Sequence, residues 1–214
     1  FGKLQPEDRQ ESVCVRRVES RFGPGKIQIA HCTGAQYNGD MMFGMQEETV
    51  MGLFGKKSFF PYVGEIGSDV MEEIRRTVAR AQGILGLSDG TGGRETAAAI
   101  NEMVDRILEN GVLPEGFADL EDAAVCLGVL FGHALCVGQQ WKWKALGENA
   151  GNASFCVVSP GDYFSNAPMP YLLRILFGNN RNVDGTNDNT VLLLYNMLEN
   201  IDRKPEKQKY FPVA

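Results

Sequence analysis

The two histidines of the chain each lie close to a cysteine, a pairing typical of a thiol nucleophile with its general base. His31 directly precedes Cys32, and His133 lies three residues before Cys136. A spacing of three brings two side chains together on one face of a helix. A reactive thiolate also needs an electropositive setting. The residues around His133 are almost all apolar, which favours a structural histidine there and leaves Cys32 as a second candidate nucleophile.

A glycine-rich stretch at residues 86–96 leads into a predicted helix, where backbone N–H groups can hold an anion. The residues that would form such a phosphate site are Gly90, Gly92, Gly93 and Arg94. The stretch lacks the GxxxxGKS/T pattern of a phosphate-binding loop, and it follows a helix instead of a strand. A connecting loop in which Thr91 caps the helix is the simpler interpretation.

Residues 180–191 have the spacing of a calcium-binding loop, in which alternate side-chain oxygens point at one ion. The candidate ligands are Asn180, Asn182, Asp184 and Asp188. The twelfth position is Val191, where such loops need a bidentate glutamate. A polar loop that caps the next helix through Asp188 or Asn189 explains the pattern more simply. We therefore expect no cofactor, with calcium as the alternative.

The chain is acidic and ordinary in its apolar content. Its 214 residues carry a net charge of −6, and 43% of them are hydrophobic. The acidity argues against nucleic acid as a partner, because phosphate binding needs a basic surface, and it suits a basic protein partner. No unbroken apolar run reaches the ~20 residues of a membrane span. The longest, residues 123–138, is broken by Gly128, Gly132 and His133.

The five cysteines lack the close spacing of a zinc site. We expect them to be reduced and buried, which favours a cytoplasmic protein. Export after removal of a leader segment is the alternative.

The first third of the chain predicts strands. Alternating apolar residues at 12–18 and 26–32 flank a turn, as in a hairpin, and residues 49–55 predict another strand. Four methionines in this region could form an adaptable contact surface or an irregular core: Met41, Met42, Met45 and Met51. We expect a strand-rich region with one long helix over residues 1–90 and a second domain over residues 91–214.

Helical periodicity begins at Ser68, which predicts an N-cap, and Gly86 predicts the helix end. Further helices are predicted at residues 95–110 and 120–139, the last of them apolar nearly all round, as in a central helix. The fold class is therefore α+β, with small antiparallel sheets packed against helices.

Two apolar strands, separated by a turn at residues 147–152, follow the central helix. The residues expected on the buried side of this hairpin, against the small residues of the helix, are Trp141, Trp143, Phe155 and Val157. Two more helices follow. Residues 202–214 are polar and are expected to be loosely held.

The stretch at residues 120–201 resembles a bacterial family known as domain of unknown function 3806. The likeness lies in the helix CLGVLFGHALC, the strand GQQWKW, the strand end VVSPGDYF and the helices LLRILFG and TVLLLYNML. It implies an α+β fold and a bacterial source. It brings no assigned activity, so it implies no catalytic residue.

A non-catalytic protein-binding module, similar to an immunity or adaptor protein, is the function that these features favour. Residues that would bind the partner are expected in two exposed loops: Glu148, Asn149, Asn152, Asp162 and Tyr163. One alternative is a small hydrolase or transferase that uses Cys32 or the pair of His133 and Cys136. Another is an exported structural protein of the cell envelope.

Overall fold

Five helices and a five-stranded sheet form most of the fold in a computed structural model of the chain. The structure describes residues 57–178, 188–201 and 208–213, together with the backbone of two short strands near the N-terminus. The fold class is α+β, as the sequence predicts. The chain divides into two compact units, Phe1–Gly55 and Lys56–Ala214.

In the smaller unit, β1 (Val13–Cys14) pairs antiparallel with β2 (Ala30–His31). The pairing places Val13 opposite His31, which agrees with the predicted hairpin. The predicted strand at residues 49–55 and the methionine cluster lie outside the described residues, as does Cys32.

The larger unit begins with two amphipathic helices. Helix α1 (Ser68–Leu85) ends at Gly86, and α2 (Gly93–Asn110) ends at Gly111, both glycines with left-handed backbone angles that favour this residue. The N-cap of α1 is Gly67, so Ser68 is the first helical residue and not the cap that its side chain predicts. Helix α1 packs against the central helix, so the boundary expected near residue 90 lies within the larger unit.

Helix α3 (Leu120–Gln139) is the central helix, as predicted. Asp119 caps it by accepting a hydrogen bond from the Asp122 backbone N–H at 2.8 Å. Its small residues allow neighbouring elements to pack close to its backbone. A side chain at Gly128 would meet the backbone of Met169 in α4 (Pro168–Leu176), and one at Gly132 would meet the Trp143 ring. Helix α5 (Val191–Glu199) packs mainly on α2.

Helix α3 is also the one helix in the described ranges that is long and apolar enough to cross a membrane. Its mean hydropathy is 1.7, and 67% of its most apolar window is buried inside the molecule. The sequence predicts that no apolar segment is long enough to span a membrane. That holds for unbroken apolar runs, but the helix continues through Gly128, Gly132 and His133 and reaches 20 residues. A buried core helix passes the same test, so this feature is weak support for a membrane span.

The main sheet of the larger unit has five strands, in the order β4 (Tyr62–Gly64), β5 (Lys142–Gly147), β6 (Ala153–Val158), β7 (Phe164–Asn166) and β9 (Phe211–Pro212). Its central hairpin pairs β5 with β6, with Trp143 opposite Val157. Strand β4 pairs antiparallel at one edge. At the other edge, β7 pairs antiparallel with β6 and parallel with β9.

Both faces of the sheet are covered. Trp143 lies on the face toward α3, as predicted. Of the residues expected on the buried side of the hairpin, Trp141 and Val157 are buried, whereas Trp143 and Phe155 are only half-buried. The opposite face carries a second small core of Leu146, Cys156 and Val158, which Tyr210 closes from the C-terminal end of the chain.

The C-terminal residues are therefore not loosely held where the structure describes them, contrary to the expectation from their polarity. Strand β8 (Gln208–Lys209) pairs parallel with β3 (Lys57–Ser58), and β9 completes the main sheet. Tyr210, between the two strands, is only 7% exposed. One buried aromatic and the backbone pairing of its neighbours are enough to hold an otherwise polar segment.

Candidate functional site

A cleft of about 660 Å³ lies between α1, the second half of α3 and the segment that leads into β5. Its wall on the α1 side is apolar, with Met71, Ile74 and Val78 spaced along one helical face. Trp141 and Trp143 form part of the opposite wall, so both tryptophans of the chain line the cleft. This volume lies in the range of cavities that bind small molecules or large side chains.

Four charged side chains line the cleft: Glu65, Arg75, Asp89 and Lys142. Two of them have partners of their own. The Lys144 ammonium lies 3.0 Å from the Glu65 carboxylate, and Arg75 forms an ion pair with Glu72 one helical turn away. The other two, Asp89 and Lys142, form no ion pair with any described residue.

His133 and Cys136 both line this cleft, as expected for neighbours on one face of α3. Burial lowers the pKa of His133, which keeps its imidazole neutral at about pH 7. Burial raises the pKa of Cys136 to about 12, so its thiol stays protonated. A thiolate nucleophile needs the opposite arrangement, a cationic imidazole beside a thiol of lowered pKa. A ligand in the cleft would therefore meet a neutral imidazole, which can form a hydrogen bond, and an uncharged, polarisable thiol.

The other candidate pair, His31 and Cys32, belongs to the smaller unit of the chain. His31 is the last residue of β2, and Cys32 is outside the described residues. The two remaining described thiols are also protonated. Burial raises the pKa of Cys156 to about 12, and burial is likewise the largest cause that raises the pKa of Cys126 to about 11.

Cys126 belongs to a polar cluster that links α1 to the start of α3. The Arg80 guanidinium donates hydrogen bonds to Asp122 at 2.8 Å, to the Gly116 carbonyl at 2.7 Å and to the Cys126 sulfur at 3.2 Å. The bond to Arg80 is the largest cause that lowers the pKa of Asp122. Sequence reasoning missed this cluster because 42 residues separate Arg80 from Asp122 and neither stands in a motif.

The glycine-rich stretch forms the start of α2, where the side chain of Glu95 accepts a hydrogen bond from a backbone N–H group. Gly92 caps α2, and its N–H donates to the Glu95 carboxylate at 3.3 Å, which places an acid where an anion would bind. Gly93 is buried against Ala134 and the Tyr195 hydroxyl. Thr91 accepts a hydrogen bond from the Ser88 N–H instead of capping the helix.

Gly90 and Arg94 of this stretch are exposed. The geometry thus favours the connecting loop over a phosphate site.

Of the predicted calcium ligands, Asn180, Asn182 and Asp184 lie outside the described residues, and Asp188 lies just before α5. Across the described ranges, no group of three or more His, Cys, Asp or Glu side chains could hold a metal ion. The N-cap of α5 is Thr190, which forms no side-chain cap bond, so neither Asp188 nor Asn189 is the cap residue that the sequence predicts. The Asn189 side-chain oxygen instead accepts from the Val191 N–H at 3.2 Å.

The expected partner loops differ in their surroundings. Glu148, Asn149 and Asn152 lie in the turn between β5 and β6, where Asn149 accepts from the Gly151 N–H at 3.0 Å. Asp162 and Tyr163 are already engaged. Their carbonyls accept hydrogen bonds from the backbone N–H groups of Tyr210 and Phe211 at 2.8 and 2.9 Å. The chain's own C-terminal segment thus occupies the second loop.

Comparison with protein-family models, with curated proteins and with solved structures found no match for this chain. The likeness of residues 120–201 to domain of unknown function 3806 therefore stays a prediction.

Proposed function

We propose that this protein is a non-catalytic binding module, similar to an immunity or adaptor protein, and that its cleft holds a large apolar side chain of a protein partner. The observation that carries the proposal is the lining of the cleft. Two tryptophans face an apolar helix surface, while the one thiol in the cleft is protonated and the one histidine is neutral. Such a lining supports binding better than nucleophilic chemistry.

Charge defines the partner further. Asp89 and Lys142 each lack an ion-pair partner among the described residues. A partner segment with an apolar anchor between a basic and an acidic residue would complement both charges. The net charge of −6 favours a partner that is basic overall, because opposite charges steer encounter.

Peptide selection on the intact chain tests the proposal. Peptides from a random library would be selected, and their binding would be followed by tryptophan fluorescence, because both tryptophans line the cleft. Ala79→Arg places a long side chain in the cleft from an exposed position of α1. Gly83→Arg is the matched control, since it adds the same charge to the same helix at an exposed position outside the cleft lining.

We expect selected peptides to shift the fluorescence and to lose about tenfold or more in affinity for the Ala79→Arg variant alone, because a filled cleft excludes the anchor. Equal binding to both variants would place the peptide site elsewhere and contradict the proposal.

A small cysteine-dependent hydrolase or transferase is a second candidate, since His133 and Cys136 line the same cleft. The raised pKa argues against it. A thiol with a pKa of about 12 has about a thousandfold less thiolate at neutral pH than one at 9.0. Native-state alkylation followed by peptide mapping distinguishes the two candidates. Rapid modification of Cys136 at neutral pH would favour the hydrolase, and slow modification favours the binding module.

A further inference from the structure

The C-terminal strap, defined as residues 208–213, lies along the edge of the main sheet as an added strand. Its backbone N–H groups at Tyr210, Phe211 and Val213 donate to carbonyls of Asp162, Tyr163 and Ser165, with distances between 2.8 and 2.9 Å. Parallel pairing with β7 covers only two residue pairs, Phe164 with Phe211 and Ser165 with Pro212. Backbone pairing of this kind is how many proteins bind an extended peptide.

The edge of the sheet is built to hold such a strand. Two buried polar side chains, Ser165 at 2% and Asn166 at 1% exposure, donate hydrogen bonds to the strap. The Ser165 hydroxyl donates to the Tyr210 carbonyl at 2.9 Å, and the Asn166 amide donates to the Val213 carbonyl at 2.8 Å. The Asn166 side-chain oxygen is buried with no partner among the described residues, so it can accept one more N–H.

One side chain anchors the strap. The Tyr210 ring enters the second small core beside Leu146, Cys156 and Val158, while Phe211 on the same strap is 46% exposed. Lys209 lies 4.0 Å from the Asp162 carboxylate. The groove thus binds two side chains of an extended segment. A tyrosine fills the small core, and the lysine directly before it lies near the Asp162 carboxylate.

We propose that this groove, formed by β7, Asp162 and the second small core, is a strand-docking site for an extended partner segment that carries Lys-Tyr followed by an apolar residue and proline, and that the strap is its resident occupant. The strap pairs over only two residues with β3 and two with β7, and a single side chain anchors it, so local opening is easier than global unfolding. A partner strand of the same chemistry takes the place of the strap when it opens. This site is separate from the cleft and does not depend on what the cleft binds.

Labelling of Cys156 with a thiol reagent in the full chain tests the proposal, because Cys156 and Tyr210 belong to the same small buried core. Cys126, buried in α3, reports global unfolding in the same sample. Tyr210→Ala removes the anchor, and Phe211→Ala is the control that shortens a ring of the same strap, which is 46% exposed and contacts Phe59 instead of the second small core. Lys209→Glu, at a partly exposed position, weakens the strap without removing a core side chain, so it covers the case in which Tyr210→Ala does not fold.

We expect Tyr210→Ala to raise the labelling rate of Cys156 by about tenfold or more, and Lys209→Glu by about threefold, with Cys126 and the Phe211→Ala variant little changed. The hexapeptide Gln-Lys-Tyr-Phe-Pro-Val, added in excess, should slow Cys156 labelling in the variants again, and the same peptide with alanine for tyrosine should not. Ala79→Arg in the cleft should leave this protection unchanged, which separates the two sites.

Three outcomes would overturn the proposal. Labelling of Cys156 only at the rate of Cys126 would mean that the strap opens only when the unit unfolds. Failure of the hexapeptide to protect an opened groove would mean that no strand binds there in trans. Concentration-dependent dimers of the variants that protect Cys156 without peptide would assign the groove to the strap of a second copy.

Discussion

At the scale of single residues, glycines of α3 decide how closely its neighbours approach. An added Cβ at Gly132 would lie 2.6 Å from the Cη2 atom of Trp143, and one at Gly128 would lie 2.7 Å from the Cα atom of Met169. A real Cβ atom does not come this close to another atom, so any larger residue at either position would clash with its neighbour. Close packing, and not an unusual backbone angle, therefore requires glycine at both positions. The absence of a side chain at Gly132 thus lets the Trp143 ring pack directly against α3.

Gly132→Ala should destabilise the protein by about 1–3 kcal/mol, because overpacking forces Trp143 away from α3. Gly83→Ala is the control. That glycine lies in α1 with no atom within 4 Å of an added Cβ, and the change should stabilise by about 0.5–1 kcal/mol through helix propensity. Urea unfolding followed by circular dichroism measures both. Equal effects of the two substitutions would contradict the packing explanation.

At the scale of elements, α1 and α3 are joined by a polar contact as well as by apolar packing. Arg80 of α1 bonds both Asp122 in the first turn of α3 and the carbonyl of Gly116 in the preceding loop. Asp122 also accepts from the Ala118 N–H at 2.9 Å. The cluster thus orders the loop, the helix start and the neighbouring helix together.

Arg80→Met should cost about 1–2 kcal/mol, as expected for hydrogen bonds to a charged and partly exposed group. Arg76→Met, in the same helix, removes an exposed pair with Glu72 and should cost under about 0.5 kcal/mol. Denaturant unfolding of the three proteins checks the difference. A similar cost for both variants would mean that the Asp122 contact contributes nothing beyond a surface pair.

The effect of Arg80→Met should depend on pH in a defined direction. Arg80 lowers the pKa of Asp122 below 3.8, so the carboxylate stabilises the fold above that pH and the stabilisation is lost as pH falls through the lowered value. The free-energy difference between the wild type and the variant should stay constant from about pH 5 to about pH 8 and shrink below about pH 4. A difference that instead shrinks on raising the pH would contradict this assignment.

The start of α5 depends on a side chain from another helix. The Asn101 side-chain oxygen in α2 accepts from the Leu192 N–H at 3.2 Å, and its amide donates to Asp105 at 2.9 Å. Asn189 donates to Asp105 at 2.7 Å, which closes the cluster. One hydrogen bond to the first turn of α5 therefore comes from a residue 91 positions away in the chain.

Asn101→Ala should lower the free energy of unfolding by about 1–2 kcal/mol, the usual cost of losing a helix cap with a second partner. Glu102→Ala, an exposed neighbour in α2, should change it by less than about 0.5 kcal/mol. Thermal unfolding of both variants provides the comparison. An unchanged melting temperature for Asn101→Ala would show that α5 does not need this hydrogen bond.

At the scale of the whole molecule, the larger unit contains its own core, sheet and cleft. It starts at Lys56 and includes the C-terminal strap, which returns to pair with β3 near its beginning. A unit whose two ends meet in one sheet closes its hydrogen bonds internally.

The chain of residues 56–214 should therefore fold alone, with a single cooperative transition within about 3 °C of the corresponding transition in the full chain. Calorimetry of both proteins measures this. A shift of more than about 10 °C would mean that the first 55 residues stabilise the larger unit.

Local patterns in the sequence determine which segments become helices and strands. Apolar residues every three or four positions predict α1 and α2, glycines predict the end of each, and a surface that is apolar nearly all round predicts α3 as the central helix. These features act over one or two turns of chain, so their neighbours in sequence are enough to predict them.

Only the tertiary structure decided what those elements do together. The raised pKa of Cys136 and the lowered pKa of His133 depend on every group that excludes water from them, and most of those groups are distant in sequence. The polar C-terminal segment becomes ordered because Tyr210 finds a core built from β5 and β6. Burial and long-range pairing are properties of the whole packed unit, and no local pattern in this sequence contains them.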